Sequence, residues 1–193
     1  MTFPLHTSTH THFYSLAKPE IIKQVVEYVT VVPPADSDEK RRLKYPMVCA
    51  EILGSEVWPL TEAVYKDAAL LGALFGFLER DYATESEAER TVEANSAKVA
   101  TLLCPHKLYE TVEFLKQVPG CVAKFVAHVG DTNVVELLLK LMTTDEGTGA
   151  DVYGTVQWLC SERFVPLLVG RFVESTDAEE QEAIAHAITD MVL

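Results

Sequence analysis

The feature that most constrains this chain is the spacing of its apolar residues, which recur at intervals of three and four. The alternation of apolar and polar residues that is typical of a half-buried strand is nearly absent. One helical face is formed by Ile21, Ile22, Val25, Val26 and Val29, and similar faces follow along the chain. The spacing therefore predicts an all-α fold of about ten helices.

Prolines and polar residues indicate where the first helices begin and end. Pro19 stands where a first helical residue tolerates a missing amide donor. Cap oxygens for a helix that starts near Glu39 are offered by Asp36, Ser37 and Asp38. Because proline fits poorly inside a helix, Pro46 predicts a break at Tyr45 and a new helix over residues 47–53.

Later boundaries are indicated by cap residues. Ser86 and Glu89 have the spacing of a capping box, which opens a helix that we expect to reach Leu103. Gly130 is predicted to cap the end of the helix before it, and Thr132 the start of the helix after it. The segment after Thr132 is so rich in leucine and valine that we expect it to be covered on several sides.

The order of these helices predicts the architecture. Helices of roughly 10 to 17 residues joined by short links favour antiparallel neighbours, and a series of such pairs packs as an α-solenoid of the HEAT or armadillo kind. A compact bundle is the alternative, since no fixed period of motif residues is present. We expect residues 1–17 to form a poorly ordered N-terminal tail and residues 18–193 to form one helical-repeat domain.

Composition excludes several classes of partner and compartment. The net charge of -13 repels polyanions, so nucleic acid is not an expected partner. Cys49, Cys104, Cys121 and Cys160 lack the close spacing of a zinc knuckle or a redox pair, which favours free and mostly buried thiols. The chain has neither a signal-peptide pattern nor a long apolar run, so we expect no membrane association. These features together predict a cytoplasmic protein, with nuclear access open.

Sequence motifs of catalysis are absent from the chain. It has no GxxxxGK[ST], GxGxxG, HExxH or GxSxG, and its glycines lie singly or near helix ends. Glu110 and Glu113 suggest paired carboxylates, but no carboxylate–histidine motif faces them, so we interpret them as a solvated helix face. The sequence therefore predicts a protein that is not an enzyme and has no cofactor.

The histidines offer weak candidates for a metal or an acid–base pair. His6, His10 and His12 are spaced imidazoles, but they lie among threonines in a segment without apolar periodicity, which favours a solvated tail. Glu182 and His186 stand one helical turn apart, and the more frequent arrangement at that spacing is a surface pair. We therefore expect no bound metal.

One dense basic cluster stands out in this acidic chain: Lys40, Arg41, Arg42 and Lys44. Such a cluster suggests a nuclear-import signal, a contact for an acidic partner surface, or an ordinary charged helix face, which the flanking acidic residues favour. Trp58 and Trp158 are expected to pack in the core, with an interface role as the alternative.

Several segments resemble the SAPS family of regulatory subunits of type 6 serine/threonine phosphatase. Residues 38–53 have the charged run, the Tyr-Pro pair and the Glu-Ile-Leu helix of that family. Residues 112–116, Val-Glu-Phe-Leu-Lys, are followed by residues 128–132, His-Val-Gly-Asp-Thr, and by a leucine-rich helix. A weaker match joins residues 157–159 to residues 164–168. The chain departs from the family in residues 81–100 and in lacking the family's upstream acidic region and long C-terminal part.

The resemblance implies a helical-repeat scaffold that binds the catalytic subunit of a type 6 phosphatase and modulates its substrate choice. The alternative is a generic helical adaptor that binds another partner. The basic cluster lies in the segment most like the family, so we expect the partner contact there: Lys40, Arg41, Arg42, Lys44, Tyr45, Pro46 and Glu51.

Overall fold

The computed structural model describes residues 15–55, 57–142, 151, 153–176 and 178–192. Within these ranges the chain forms helices, turns and bends and contains no strand, so the predicted all-α fold class is confirmed. The chain divides into two compact units, Met1–Phe77 with Glu87–Leu103 and Leu78–Ser86 with Cys104–Leu193. The HEAT/armadillo-like packing stays a prediction, as does the separation of the tail over residues 1–17 from a domain over residues 18–193.

Among the residues that the structure describes, the first unit contains five α-helices. They are α1 (Pro19–Thr30), α2 (Tyr45–Leu53), α3 (Trp58–Lys66), α4 (Ala68–Leu74) and α5 (Glu87–Leu103). Helix α1 packs against each of the other four, and α5 also packs against α2 and α4. The apolar face predicted for α1 supplies Ile22, Val26 and Val29 to the core, where each is at most 2% exposed. Burial of that face holds the unit together, because isolated helices of this length are marginal in water.

The described part of the second unit contains six α-helices. They are α6 (Leu108–Leu115), α7 (Cys121–Ala127), α8 (Thr132–Leu141), α9 (Thr155–Ser161), α10 (Phe164–Glu174) and α11 (Ala178–Val192). Two 3₁₀ turns, Tyr82–Thr84 and Cys104–Lys107, belong to the same unit. Helix α10 packs against α7, α9 and α11, and α8 packs against α11. Among the helices that the structure describes, none is both long enough and apolar enough to cross a membrane.

Helix α8 is covered on several sides, as its composition predicts. Its buried side chains are Val134, Val135, Leu137, Leu138 and Leu141. Its cap differs from the prediction, because the side chain of Asp131, and not of Thr132, accepts a hydrogen bond of 2.7 Å from the Asn133 amide. Asp131 has the extended backbone of an N-cap residue, whereas Thr132 is already the first helical residue.

Two other boundary predictions are wrong. Helix α7 ends at Ala127 and His128 is its C-cap, so Gly130 lies too far along the chain to act as the cap glycine. The backbone also remains helical through Tyr45, where a break was expected, because the preceding residues form a π-type turn.

Trp58, expected in the core, is 60% exposed, whereas Trp158 is half-buried.

Candidate partner-binding surface

The basic cluster lies in a π-type turn, Lys40–Lys44, that leads directly into α2. The carboxylate of Asp38 accepts a hydrogen bond of 2.8 Å from the Arg41 amide, which confirms the predicted cap oxygen. The Tyr45 amide donates to the Lys40 carbonyl, a bond with the five-residue separation of a π-helix. This wider turn is the local change with which the chain stays helical up to Pro46, which has no amide hydrogen to donate.

Arg41 and Tyr45 both contact Tyr28, which belongs to α1. The Arg41 guanidinium carbon lies 4.3 Å from the centroid of the Tyr28 ring, a cation–π contact. The Tyr28 and Tyr45 rings meet edge to face, with centroids 5.3 Å apart. Arg41 is only partly exposed, and its Nη1 atom is buried with no hydrogen-bond partner among the described residues. The contact therefore ties the basic turn to α1, and Arg41 serves packing more than it serves a partner.

The other predicted site residues fall into an exposed set and a buried one. Pro46 is buried, whereas Tyr45 is 39% exposed. The exposed charged residues of the prediction are Lys40, Arg42, Lys44 and Glu51.

The prediction missed two exposed apolar side chains in the same segment. Leu43 is 61% exposed and Met47 is 55% exposed. The signal in the sequence is their spacing, because helical residues four apart lie on the same face. Three charged residues share this face with the two apolar ones, at intervals of one, three or four residues. We call the five residues together the α2 surface: Lys40, Leu43, Lys44, Met47 and Glu51.

A groove lies where the α2 surface meets α5. Its volume is about 260 Å³, and its walls include Met47, Ala50, Glu51, Gly54, Lys98 and Leu102. Gly54, which follows α2, makes this close approach possible, because a Cβ atom there would lie 2.5 Å from Leu102 Cδ1. The groove therefore combines apolar side chains with three polar ones, Glu51, Asn95 and Lys98.

The four cysteines are free thiols, and only Cys160 is exposed. Burial raises the pKa of Cys49, an effect that the positive charge of Arg41 partly opposes. Burial also raises the pKa of Cys104 and of Cys121 to about 12. Thiols with such raised pKa values remain protonated at neutral pH and are therefore poor nucleophiles.

The remaining candidates from the sequence have surface positions or lie outside the described residues. His186 Nε2 lies 3.8 Å from Glu182 Oε1, and both side chains are more than 70% exposed, which agrees with a surface pair. Glu110 and Glu113 face Lys107 and Lys116 across 3.4 Å and 2.9 Å, as on a solvated helix face. The three histidines at positions 6, 10 and 12 lie outside the described residues.

The His-Val-Gly-Asp segment has a structural explanation in the second unit. His128 is fully buried, and its Nε2 lies 3.2 Å from the carbonyl oxygen of Arg80, so Nε2 carries the donated hydrogen. The Tyr82 ring meets the His128 ring edge to face, with centroids 5.5 Å apart. A Cβ atom on Gly130 would lie 2.5 Å from the Tyr82 hydroxyl oxygen. The segment therefore fastens residues 80–82 to the start of α8.

Comparison with known proteins confirms the SAPS resemblance. Residues 100–193 match the SAPS family model, described as SIT4 phosphatase-associated protein. The chain is 30% identical over 179 residues to serine/threonine-protein phosphatase 6 regulatory subunit 1 of Mus musculus. It is 29% identical over 177 residues to regulatory subunit 3-A of Xenopus laevis. It is 27% identical over 184 residues to extragenic suppressor of kinetochore protein 1 of Schizosaccharomyces pombe.

These alignments differ in how much of each protein they cover. Each covers 92% of this chain, but only 20%, 20% and 21% of the three relatives. The chain therefore spans about a fifth of the length of the curated relatives it matches. No solved structure matches the chain.

Proposed function

Because the chain carries a SAPS-family segment over residues 100–193, we propose that it is a regulatory scaffold for a protein phosphatase. In this proposal it binds the catalytic subunit of a type 6 serine/threonine phosphatase and modulates the choice of substrate. The observation that carries the proposal is the similarity of 92% of the chain to proteins named phosphatase 6 regulatory subunits. The same names support a role without catalysis of its own, and we place this role in the cytoplasm.

We propose the α2 surface, together with Arg42, as the contact with the catalytic subunit. Lys40, Arg42 and Lys44 are exposed within five residues of each other on a chain whose net charge is -13. An exposed basic patch of this kind steers an acidic partner surface and sets the rate of association more than the final affinity. Exposed Leu43 and Met47 add apolar area that a partner can bury.

The test is capture of the purified type 6 catalytic subunit by the full chain, with association rates measured by surface plasmon resonance at low and moderate salt. Arg42→Glu/Lys44→Glu reverses two exposed charges and is expected to slow association about tenfold or more at low salt and to weaken the salt dependence. Arg41 is left unchanged, because its contact with Tyr28 makes a reversal there a change in packing. The matched control is Lys140→Glu, an exposed charge on α8.

The outcomes separate the contact surface from the function. If the double reversal and the Lys140→Glu control associate with the catalytic subunit at the same rate, the contact lies elsewhere on the chain. If the wild-type chain captures no catalytic subunit, the generic helical adaptor becomes the better description. Circular dichroism of each variant checks that the helical fold is intact.

A further inference from the structure

The groove between α2 and α5 joins two residues of the α2 surface, Met47 and Glu51, to side chains of α5 that the phosphatase proposal does not use. Its volume of about 260 Å³ is below the range of about 300–1,000 Å³ that is typical of small-molecule sites. That volume suits one or two protruding side chains better than a complete ligand. Met47 lines the groove and remains 55% exposed. An apolar side chain that enters the groove would therefore bury its own surface and that of Met47.

The charges around the groove indicate the chemistry of the occupant. Lys98 of α5 lines the groove, and Lys44 precedes Met47 by three residues, which places it on the same face of the helix. Both lysines are exposed. Glu51 lines the same groove and disfavours an acidic side chain at its own position. The groove is therefore apolar at Met47, basic at Lys98 and acidic at Glu51, and Lys44 adds a second positive charge on the helix face beside it.

We propose that the α2–α5 groove binds an acidic segment of a partner protein that inserts an apolar anchor side chain beside Met47. Acidic residues that flank the anchor pair with Lys44 and Lys98, and the residue opposite Glu51 is neutral or basic. Nucleic acid has the required negative charge, but it would meet a chain of net charge -13 and has no aliphatic anchor. The proposal extends the phosphatase-scaffold function by specifying the partner's chemistry, and it rests on that function only for the partner's identity.

The test measures fluorescence anisotropy of a fluorescein-labelled model peptide that has leucine at every fourth position among glutamates. One comparison peptide has glutamine in place of glutamate, and another has serine in place of leucine. The full chain is expected to bind the acidic leucine peptide, and added salt is expected to weaken that binding. Both comparison peptides are expected to bind at least about tenfold more weakly.

Variants of the chain locate the binding. Lys44→Glu/Lys98→Glu and, separately, Met47→Glu are each expected to weaken peptide binding about tenfold. The matched controls are Lys140→Glu for the charge and Val173→Glu for the apolar residue, since Val173 is 74% exposed on α10. Both controls are expected to bind the peptide as the wild-type chain does.

Several results would overturn the proposal. These are absence of peptide binding, equal binding of the glutamine peptide, and groove variants that bind like the controls. Self-association of the wild-type chain in analytical ultracentrifugation that the groove variants abolish would make a second copy the occupant, contrary to the proposal. Peptide binding without capture of the catalytic subunit would support the groove proposal and refute the phosphatase function. Capture of the catalytic subunit without peptide binding would refute the groove proposal and support the phosphatase function.

Discussion

Replacing Gly130 with alanine tests the structural explanation of the His-Val-Gly segment. The added Cβ atom would lie 2.5 Å from Tyr82 Oη and 2.8 Å from two carbons of the ring. These separations are below van der Waals contact, so the Tyr82 ring has to move. The backbone of Gly130 does not have the left-handed conformation of Gly120 and Gly154, so the effect of alanine is one of space alone.

Three effects determine how much Gly130→Ala changes the free energy of unfolding. Displacement of Tyr82 disturbs its edge-to-face contact with His128, which contributes about 0.5–1.5 kcal/mol. Overpacking of a filled site adds about 1–3 kcal/mol. Alanine has less conformational entropy than glycine in the unfolded chain, which stabilises the folded state by about 0.4–1 kcal/mol. We therefore expect Gly130→Ala to lower the free energy of unfolding by about 0.5–4 kcal/mol.

The assay is urea denaturation followed by circular dichroism. Gly170→Ala is the matched control in the same unit, because nothing lies within 4 Å of a Cβ atom there and Gly170 is inside α10. That control is expected to raise stability by about 0.5–1 kcal/mol. In a Tyr82→Ala background the cost of Gly130→Ala is expected to disappear. A Gly130→Ala variant as stable as the Gly170→Ala variant would refute the reasoning.

Three further predictions concern individual side chains: a helix cap, two buried thiols and a cation–π contact. Asp131→Ala removes the N-cap of α8 and is expected to lower the free energy of unfolding by about 1 kcal/mol in urea denaturation, whereas Asp131→Asn is expected to retain most of it. Burial raises the pKa of Cys104 and Cys121 to about 12 from the ordinary 9.0, so between these values the unfolded chain loses protons that the folded chain keeps. The free energy of unfolding should therefore fall by about 1.4 kcal/mol per thiol per pH unit above pH 9, and an equal slope after either cysteine is changed to alanine would contradict the assignment. Arg41→Gln is expected to cost about 0.5–2 kcal/mol through loss of the contact with Tyr28, and a cost that persists in a Tyr28→Ala background would assign it to another cause.

Local patterns in the sequence were sufficient for most of the helices and for part of the candidate surface. The spacing of valine and isoleucine identifies the buried face of α1, and Pro19 marks its first residue. The basic residues of the surface are likewise readable, because the charge of Lys40, Arg42 and Lys44 contrasts with the acidic remainder of the chain. These features depend on residues within one or two turns of each other, so the sequence contains the whole interaction.

Only the tertiary structure decided which side chains of that surface are available. Arg41 is indistinguishable from Arg42 in the sequence, yet Arg41 stacks on Tyr28 of another helix while Arg42 is exposed. The function of Gly130 likewise depends on Tyr82, which lies 48 residues earlier by difference of their numbers. Such contacts join residues that are distant in the chain, and their energies depend on the space left between packed helices. That space is a property of the packed fold and is absent from the periodicity of any single segment.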